Sequence, residues 1–559
     1  MFLYNNKMCG IFAYLGKIES FHSTFLKFNK RGPETSKIEV IDDITFGFHR
    51  LAINGLDPSS NQPIHYGKIV VICNGEIYNY RELWKELDMT PNTHSDCEVI
   101  APMIERFGVE YTVSALDGVF AFVAYNTETK EIYVGRDPLG VRPLMMAMNK
   151  QPIAFCSDLK TLESLEINTM TNYDISQFPA GSYGVLSTDW KIVRYWTPYA
   201  FKSHISYNPL TIIRNGLLSA VQKRVTTTER PIACLLSGGL DSSLIASLVN
   251  HFYCYDEERR IPSRTLETYS IGLAGSTDLY YARIVAEHLQ TKHHEVVVTE
   301  EEFLSAIPEV ISNIESYDTT TVRASVGNYL ICKYIREHSE AKVIFNGDGS
   351  DEVAGGYLYF HKAPSSLHFD MECRRLLNDI AYFDVLRSDR TISSNGLEPR
   401  TPFLDKEFVQ TYLSISRDIR NHVIHGEPEK YLIRHAFTTM VCNNGKPVLP
   451  TEILFRTKEA FSDGVSGHAR SWYEIIQEYV EKKQIQPFKF KDTVLTKYLH
   501  TTHNIPKTKE QEYYRHLFNV YFGQNHSNVI PYFWMPRFIE ATDASARSLS
   551  VYKERIKSV

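Results

Sequence analysis

Short apolar runs separated by turn-forming residues dominate the first part of the chain, from Cys9 to about Tyr195. These runs are rich in β-branched and aromatic residues, which is typical of strands, and helical spacing of apolar residues is confined to 80–87 and 97–107. The pattern therefore predicts antiparallel sheets with flanking helices. The predicted strands are 44–53, 68–73, 118–125, 131–135, 153–157 and 182–186.

The pattern changes after 196–204, a Pro-containing stretch that we interpret as a linker. Beyond it, strand-like apolar runs alternate with helical segments, which is the order expected of a parallel sheet in an α/β domain. The stretch from about Ser462 onwards is helical and aromatic but indicates no clear order of elements. The predicted strands are 232–236, 265–271 and 342–345, and the predicted helices are 242–252, 280–289, 303–314, 324–336 and 429–440.

A length of 559 residues is compatible with three or four small domains or with two large ones, and it excludes a single small binding module. Apolar residues make up 43% and charged residues 23%, so the chain has enough apolar surface for sizeable cores. The net charge of −6 is spread without long runs of one sign, which removes the electrostatic argument for nucleic-acid or membrane partners. A small-molecule partner is the default hypothesis.

The nine cysteines are scattered and form no C-x-x-C pair, so we expect reduced thiols in a cytoplasmic protein. Residues 1–7 contain only a short apolar run, and no segment reaches the ~18 apolar residues of a membrane span. We therefore expect a soluble protein that is not exported. The adjacent His293 and His294 have no carboxylate or cysteine at ligand spacing, so strand packing explains them better than a metal site.

A candidate nucleophile, Cys9, lies between a methionine and a glycine near the start of the chain. An isolated cysteine there is usually inert, but the polar residues downstream change this interpretation. Arg50 offers a guanidinium for a carboxylate, while Glu76 and Asp96 offer carboxylates for an ammonium group. The turn at 74–75 offers amide donors for an oxyanion. Together these groups would bind and attack the side-chain amide of a free amino acid.

These segments resemble the class II glutamine amidotransferase domain of the N-terminal-nucleophile hydrolases, and 31–33 and 135–140 match that pattern too. With its second half included, the chain resembles the glutamine-hydrolysing asparagine synthetases from Cys9 to about Gly467, and less so beyond. The resemblance implies that Cys9 is the thiol nucleophile and that Asn74 and the Gly75 N–H form the oxyanion hole. The implied glutamine-binding residues are Arg50 on the carboxylate, Glu76 and Asp96 on the α-ammonium, and Leu51, Ala52, Ile53, Asn54, Asn74 and Gly75.

Two departures from this family pattern occur in the N-terminal part. Glu34 follows Gly-Pro where the family usually has Asp, which leaves the turn plausible. In this family the α-amine of the nucleophile acts as the base, yet residues 1–8 precede Cys9 here. A peptide nitrogen does not accept a proton, so we expect residues 1–8 to be absent from the active enzyme, through a start at Met8 or through cleavage. The expected domains are then 9–200 and 205–559.

A second constellation, Ser237-Gly238-Gly239-Leu240-Asp241-Ser242-Ser243, lies between an apolar strand and a helix. The glycines let the backbone approach an anion, the hydroxyls can donate to phosphate oxygens, and Asp241 is suited to magnesium. A G-x-x-x-x-G-K-S/T motif is absent, so an ordinary P-loop is excluded, and a tight strand-to-helix turn is the alternative. The heptapeptide resembles the pyrophosphate loop of the ATP pyrophosphatases, which adenylate a carboxylate.

The same resemblance implies roles for further residues of the second half. Lys458 would neutralise the leaving pyrophosphate, and Arg400 and Asp405 lie in another matching segment. The implied ATP and pyrophosphate residues are Leu235, Ser237, Gly238, Gly239, Asp241, Ser242, Ser243, Ile271, Asn346, Gly347 and Lys458. The implied acceptor residues are Thr320, Thr321, Arg323, Asp384 and Arg387, and the implied metal ligands are Asp241 and Asp351.

Asp348 departs from the pattern of the bacterial synthetases, which usually have Glu there to help deprotonate incoming ammonium. The shorter side chain keeps the charge but retracts it by one methylene, and a misplacement of ~1 Å can cost on the order of a hundredfold in rate. We expect Asp348 to be catalytic, either in a pocket rebuilt around it or on a slightly different acceptor.

The resemblance implies an α+β N-terminal-nucleophile hydrolase sandwich followed by an α/β ATP pyrophosphatase domain with a parallel sheet. It implies that ammonia, released from glutamine through a γ-glutamyl thioester, amidates aspartate through β-aspartyl-AMP, giving glutamate, AMP and pyrophosphate. ATP with Mg²⁺ would be required, without a prosthetic group, and a homodimer is compatible with it. The alternatives are an amidotransferase for another carboxylate and a weak glutamine- or ATP-sensing protein, while β-lactam synthetases lack the working thiol.

Overall fold

The computed structural model describes residues 9–17, 25, 31–32, 34–163, 173–204, 207–256, 261–262, 264–456, 458, 464–466, 470–482 and 503–545. The expected leader, residues 1–8, lies outside the described residues, as do Pro33 of the expected turn and Ser462. In the part of the chain that is described, no helix is long and apolar enough to cross a membrane.

Antiparallel sheets form the first part of the chain. The strands are β1 Gly10–Tyr14, β2 Thr35–Ile41, β3 Ile44–Arg50, β4 Ile64–Tyr66, β5 Ile69–Ile77, β6 Gly118–Asn126, β7 Ile132–Arg136, β8 Met145–Asn149, β9 Gln151–Cys156, β10 Asp174–Gln177, β11 Ser182–Leu186 and β12 Trp190–Arg194. They make two six-stranded sheets, in the orders β10-β8-β9-β1-β3-β2 and β12-β11-β7-β6-β5-β4. The helices are α1 Tyr80–Leu87, α2 Ile100–Ala115 and α3 Leu159–Glu163.

A shared apolar core holds these two sheets face to face. Ile11, Phe48 and Phe155 of the first sheet belong to the same buried cluster as Val123 and Val134 of the second. Because side chains alternate between the faces of a strand, the opposite faces must be covered as well. Helices α1 and α2 cover the second sheet, and helices from the second half of the chain cover the first. The predicted antiparallel sandwich with flanking helices is confirmed.

A parallel sheet forms the centre of the second part. The strands are β13 Ile232–Leu235, β14 Tyr255–Asp256, β15 Ile261–Pro262, β16 Glu267–Leu273, β17 Lys292–Val298, β18 Val343–Phe345 and β19 Glu398–Arg400. The five-stranded sheet has the order β17-β16-β13-β18-β19, and each neighbouring pair in it is parallel. The predicted α/β alternation is therefore confirmed.

Helices surround this sheet and extend beyond it. They are α4 Pro209–Thr226, α5 Leu240–Tyr253, α6 Thr277–Leu289, α7 Glu300–Ile314, α8 Thr319–His338, α9 Ser350–Ala354, α10 Ser366–Asp379, α11 Asp384–Ser393, α12 Lys406–Ser414, α13 Arg417–Arg420, α14 His422–His425, α15 Tyr431–Phe437, α16 Thr451–Leu454, α17 Trp472–Lys482 and α18 Lys509–Phe522. The last two lie in the stretch whose order the sequence does not indicate.

The two adjacent histidines lie inside β17 and pack within the sheet. His293 Nδ1 is 2.9 Å from Thr268 Oγ1, and its Nε2 is 3.1 Å from Ser270 Oγ. The ring of His294 stacks on Tyr269 with 4.8 Å between ring centroids. These contacts agree with the predicted strand packing.

The two halves of the chain share one apolar core. Leu51 and Tyr78 of the first half belong to the same buried cluster as Ile213 and Leu217 of α4. Trp196, in the predicted linker, is buried in that cluster too. The junction is therefore packed, and the domain boundaries remain predictions.

Candidate active sites

The thiol of Cys9 lies against the segment that follows β3. Its Sγ donates to the Leu51 carbonyl oxygen at 3.2 Å and accepts from the Leu51 N–H at 3.3 Å. Arg31 Nε donates to the Cys9 carbonyl oxygen at 3.2 Å. Burial raises the pKa of the Cys9 thiol to about 12. The thiol is therefore protonated at neutral pH and needs a base before it can attack an amide.

Strand β5 carries the predicted oxyanion residues near its carboxyl end. A Cβ on Gly75 would lie 2.4 Å from the Val119 carbonyl oxygen, so only glycine permits this pairing with β6. Asn74 is 1% exposed, and neither polar atom of its side chain has a hydrogen-bond partner among the described residues. Because an unpaired buried amide is costly, this side chain is well suited to a polar ligand.

The guanidinium of Arg50 holds the loop that follows the predicted glutamine segment. Its Nη1 donates at 2.9 Å to the Asp57 carbonyl oxygen and at 2.9 Å to Asn61 Oδ1. Its Nη2 donates to the Gly55 carbonyl oxygen. Arg50 thus shapes the loop, and its predicted contact with a ligand carboxylate remains a prediction.

The two acids predicted to bind an ammonium group are both buried. Glu76 Oε2 accepts from Asn54 Nδ2 at 2.7 Å and lies 3.2 Å from Arg400 Nη2, while Asp96 Oδ2 accepts from the Ile77 N–H at 2.7 Å. Burial raises the pKa of Asp96 to about 6. Burial and the neighbouring Asp96 raise the pKa of Glu76 as well. A cation beside this pair would relieve the repulsion, which is what an α-ammonium group supplies.

Buried ion pairs connect this pocket with the second half of the chain. Arg31 Nη2 lies 2.8 Å from Asp389 Oδ2, and Arg142 Nη1 lies 3.3 Å from the other oxygen of Asp389. Arg31 Nη1 also donates to Ser393 Oγ at 2.9 Å. Both Asp389 and Ser393 belong to α11. The first residue of this helix, Asp384, lines a second cavity, which contains the predicted pyrophosphate loop. One helix therefore contacts both predicted sites.

The predicted pyrophosphate loop follows β13 and leads into α5. Gly238 has a φ of +70°, and a Cβ there would lie 2.4 Å from the Ala282 nitrogen, so this position requires glycine. Ser237 Oγ and Ser242 Oγ are 3.0 Å apart, and the Ser237 N–H donates to Ser242 Oγ at 3.2 Å. These hydroxyls lie at the N-terminus of a 14-residue helix, where anions are stabilised.

Two lysines face the carboxylates that are predicted to hold a metal. Lys430 Nζ lies 2.5 Å from Asp241 Oδ2 and 2.7 Å from Asp351 Oδ1, and Lys458 Nζ lies 2.5 Å from Asp351 Oδ2. Burial favours the neutral acid, yet Lys430 and Lys458 together hold the pKa of Asp351 below its usual range. The site therefore places two positive side chains beside two carboxylates.

These carboxylates suit magnesium only together with a substrate. Among the described residues, no group of three or more His, Cys, Asp or Glu side chains could hold a metal ion. Mg²⁺ usually binds one or two carboxylates and completes its shell with phosphate oxygens and water. Asp241 and Asp351 share Lys430 Nζ, so their carboxylates are close enough to act on one bound nucleotide.

A chain of charged groups surrounds Asp348 in the same cavity. Arg387 Nη2 lies 2.8 Å from Asp348 Oδ1 and 3.1 Å from Asp384 Oδ1. Asp348 Oδ2 is buried and has no hydrogen-bond partner among the described residues. The Tyr357 hydroxyl donates to Glu352 and lies 3.4 Å from Asp384 Oδ2. Because an unpaired buried oxygen is costly, this oxygen of Asp348 is well suited to a polar ligand.

The predicted acceptor residue Arg323 is engaged by the C-terminal segment. Its Nε donates to Glu510 Oε1 at 2.8 Å, and its Nη1 donates to Asp543 Oδ1 at 2.8 Å. Thr321 donates through its N–H and hydroxyl to Asp318 Oδ2, at 2.9 and 2.8 Å, so that Asp318 caps the N-terminus of α8. Asp318 Oδ1 accepts from the Trp534 N–H at 2.7 Å. Arg323 and Thr321 are thus held by protein groups, and their contact with an acceptor remains a prediction.

One cavity gathers most of the predicted ATP, metal and acceptor residues. The predicted residues that line it are Leu235, Ser237, Gly239, Asp241, Ser242, Ile271, Thr320, Arg323, Asn346, Gly347, Asp348, Asp351, Asp384, Arg387 and Lys458. Gly238, Ser243 and Thr321 are not among its lining residues. Trp534, which the sequence suggests as a docking or core aromatic, both lines this cavity and packs in a buried aromatic cluster.

Several polar residues of this cavity have no predicted role. Lys430 lines it, as do Glu352 and Tyr357. Glu352 directly follows Asp351, an implied metal ligand, so its place in the sequence could have suggested a role in this cavity. Lys430 lies at the start of a predicted helix beside Glu429, a pattern that resembles an ordinary surface ion pair.

Comparisons with known proteins cover both halves of the chain. The family model described as asparagine synthase matches residues 213–374 and 364–527, and the one described as glutamine amidotransferase domain matches residues 8–183. The chain is also similar in structure to glutamine phosphoribosylpyrophosphate amidotransferase from B. subtilis, with a TM-score of 0.30 and 17% identity over 51% of this chain and 81% of that chain.

Curated relatives match the whole chain. The glutamine-hydrolysing asparagine synthetases of Pongo abelii and Mus musculus are each 40% identical to it, over 99% of this chain and 100% of the relative. The corresponding protein of Homo sapiens is 39% identical over the same shares. This similarity covers both predicted sites and both sheet systems. The chain therefore belongs to the asparagine synthase family, with a glutamine amidotransferase domain preceding its synthetase domain.

Proposed function

We propose that the protein synthesises asparagine from aspartate, using ATP and ammonia that it releases from glutamine. The observation that carries this proposal is the second cavity, where the pyrophosphate loop, two acidic residues and two lysines meet Asp348 and Arg387. A buried acid pair in the first pocket, beside a thiol, supports glutamine as the nitrogen donor. An acceptor carboxylate other than that of aspartate is the second candidate, because the side chain of Asp348 is one methylene shorter than the glutamate usually found at this position in the bacterial synthetases.

In the amidotransferase domain, the Cys9 thiol attacks the side-chain amide carbon of glutamine. Asn74 and the Gly75 N–H stabilise the oxyanion of the tetrahedral adduct, and the thiol proton is transferred to its amide nitrogen. The C–N bond then breaks, which releases ammonia and leaves a γ-glutamyl thioester on Cys9. Water then hydrolyses the thioester to glutamate and restores the thiol. With a pKa of about 12, the thiol needs a base, and a free α-amine on Cys9 would serve.

This mechanism requires that the working chain starts at Cys9. The domains that we propose for that chain are 9–200 and 205–559. A peptide nitrogen at Cys9 cannot take the proton, so removal of residues 1–8 would switch the glutaminase on. Intact mass measurement of protein from its native source tests this point. A fully active chain that retains Met1 would contradict it.

In the synthetase domain, a side-chain carboxylate oxygen of aspartate attacks the α-phosphorus of ATP, and pyrophosphate leaves. Backbone and hydroxyl groups of Ser237, Gly239 and Ser242 hold the phosphates, and Lys430 and Lys458 neutralise the departing charge. Ammonia then attacks the acyl carbon of β-aspartyl-AMP and displaces AMP. The free oxygen of Asp348 accepts the proton that the nitrogen loses.

Asp241 and Asp351 would hold Mg²⁺ once ATP supplies its phosphate oxygens. When bound, this ion would neutralise phosphate charge and favour departure of pyrophosphate. Before that, Lys430 bridges the two carboxylates and limits their repulsion. No prosthetic group is needed for this chemistry.

The decisive assay supplies purified protein with aspartate, glutamine and magnesium-ATP, and follows asparagine, AMP and glutamate together. Equal yields of asparagine and AMP support the proposal. AMP formation only with another carboxylate would support the second candidate, and binding without turnover would support a sensing protein. The Cys9→Ala variant should lose glutamine-dependent synthesis but keep synthesis from added ammonia.

We further propose that the protein acts in the cytoplasm as a homodimer. All nine cysteines are free thiols in the structure, which suits a reducing compartment. Mass photometry of the purified protein would test the dimer, and a single peak at 64.3 kDa would contradict it.

A further inference from the structure

The segment 51–55, which follows β3 and contains the predicted glutamine-binding residues 51–54, belongs to no helix or strand. Several of its backbone groups form hydrogen bonds with residues of the synthetase domain. The Glu229 N–H donates to the Ile53 carbonyl oxygen at 3.1 Å. The Gly55 N–H donates to Glu229 Oε1 at 2.8 Å. Arg230 Nε donates to the Ala52 carbonyl oxygen at 2.8 Å. Three backbone groups of this segment are thus bound to two consecutive residues that precede β13.

A second contact connects Arg230 to the nucleophile side of the pocket. Arg230 Nη2 lies 2.7 Å from Glu34 Oε1, and Glu34 Oε2 accepts from the Ala52 N–H at 2.7 Å. The neighbouring Leu51 exchanges hydrogen bonds with the Cys9 thiol. Glu34, the residue that departs from the family pattern, therefore joins Arg230 and the glutamine segment through its two oxygens.

The turn that carries Glu229 and Arg230 is itself held rigidly. Arg400 donates through Nη1 to Thr227 Oγ1 at 3.1 Å and through Nη2 to the Thr227 carbonyl oxygen at 3.2 Å. Asn54 Nδ2 also donates to that carbonyl oxygen at 3.2 Å, and to Glu76 Oε2 at 2.7 Å. A buried arginine thus fixes the turn against the same segment that the predicted ammonium acid Glu76 contacts.

We infer that Glu229 and Arg230 are positioning residues for glutamine, so that the synthetase domain completes the glutamine pocket of its partner domain. They touch neither the thiol nor the second cavity and act by holding the backbone of 51–55 in place. This inference rests on the proposed glutaminase activity at Cys9. It also explains why Glu34 is accommodated, since its longer side chain reaches Arg230.

The test measures kcat and KM for glutamine hydrolysis and, separately, asparagine synthesis from added ammonia. Arg230→Ala removes the contacts with the Ala52 carbonyl oxygen and with Glu34, and it should raise KM for glutamine roughly fivefold, a loss of about 1 kcal/mol, with little change in kcat. Glu229→Ala should act in the same direction, whereas Glu229→Gln keeps an acceptor oxygen for the Gly55 N–H and should restore KM. Synthesis from ammonia should remain within about twofold of the parent protein.

A matched control comes from Arg283, which forms an exposed bidentate pair with Glu295 on the edge strand β17. Arg283→Ala removes a comparable ion pair and should leave KM for glutamine unchanged. If Arg230→Ala fails to fold, Glu34→Gln decides, because it removes only the charge that faces Arg230 and should also raise KM.

An unchanged KM in Arg230→Ala and in Glu229→Ala, with normal hydrolysis by the parent protein, would overturn the inference and leave the proposed function intact. Absence of glutamine hydrolysis in the Cys9-initiated parent protein would instead overturn the proposed function. Equal loss of kcat in the glutamine and ammonia reactions would show a general structural role and contradict positioning.

Discussion

The buried acidic residues of the two sites are balanced by protein cations to different degrees. In the glutamine pocket, burial raises the pKa of both Glu76 and Asp96, and Arg400 is the cation that contacts Glu76. In the second cavity Asp351 shows the opposite behaviour, because two lysines keep it ionised. Arg400 thus compensates the acid pair of the first pocket only in part, which suits an ammonium ligand, whereas two lysines already face the carboxylates of the second cavity, which suits a polyphosphate ligand.

Asp96→Asn should stabilise the free protein and weaken glutamine binding. The pKa of Asp96 rises from 3.8 to about 6 on folding, so the folded protein holds a proton that the unfolded chain has lost between these values. Stability therefore falls as pH rises through this window, and at pH 7.5 the amide variant should gain about 2 kcal/mol in free energy of unfolding. Chemical denaturation at pH 7.5 and pH 4 measures it, and the gain should vanish at pH 4.

The matching functional measurement is KM for glutamine, which should rise because the amide cannot attract an ammonium group. A variant that loses stability at pH 7.5 and keeps its KM would contradict both parts. Synthesis from added ammonia serves as the internal control for the fold.

Asp348→Asn should spare glutamine hydrolysis and suppress asparagine formation by about a hundredfold. The amide keeps the size of the side chain and a possible contact with Arg387, but it cannot accept a proton through the oxygen that is now free. Product and glutamate are measured in the same reaction. Asp348→Glu, which keeps the charge, is the control, and unchanged synthesis in Asp348→Asn would remove this residue from the mechanism.

Site residues that lie in recognisable segments can be predicted from the sequence, whereas those that reach the site from elsewhere in the chain cannot. Cys9, Asp241 and Asp351 stand in local patterns. Lys430 meets Asp241 across 189 positions of the chain, and it adopts a left-handed backbone conformation with φ of +60°. Neither the partner nor the conformation has a signature in the residues around it.

At the scale of elements, a strand, a loop and a helix together make the phosphate site. β13 is buried, the loop turns through a glycine with positive φ, and α5 begins directly behind it. The predicted strands 44–53 and 118–125 correspond to β3 and β6, because their apolar residues are numerous and regular. β12 is not predicted, since as an edge strand it is mostly exposed and needs no apolar pattern.

Gly238→Ala should abolish ATP-dependent synthesis and leave glutamine hydrolysis intact. A Cβ at this position would lie 2.4 Å from the Ala282 nitrogen, so the loop must move away from the phosphates. Gly275→Ala is the matched control, because Gly275 also has positive φ, +79°, but a Cβ there meets nothing within 4 Å. It should cost about 1 kcal/mol of stability and leave KM for ATP unchanged. Equal effects of the two variants on KM would show strain rather than displacement of the loop.

At the scale of the whole molecule, parts of the chain that are distant in sequence line the synthetase cavity together. Residues of the C-terminal segment, Trp534 and Ser545 among them, line the synthetase cavity, and Asp543 binds Arg323 on α8. The sequence gives no sign of this arrangement, because no local pattern links an arginine to an acid 220 positions away.

Asp543→Asn should loosen the C-terminal segment and raise KM for aspartate several-fold in the ammonia-dependent reaction. Arg323 would keep Glu510 but lose one of two buried carboxylates, which should cost roughly 2 kcal/mol of stability. Steady-state kinetics and thermal unfolding measure the two effects. Glu540→Gln, an exposed acid in the same segment, is the control and should change neither value. Unaltered aspartate kinetics in Asp543→Asn would separate this segment from acceptor binding.

Helix α11 contacts both predicted sites, so it fixes the distance and the relative orientation of its contacts with them. Arg387 near its start faces Asp348, and Asp389 and Ser393 further along hold Arg31 behind the thiol. Since each residue turns a helix by about 100° and advances it by ~1.5 Å, one inserted or deleted residue would rotate one set of contacts away from its partners. Nearly all residues of α11 are buried, so their identity is constrained by packing. The number of residues between these contacts is a second, separate constraint, because a change in it would break the contacts at one of the two sites even if every remaining residue were kept.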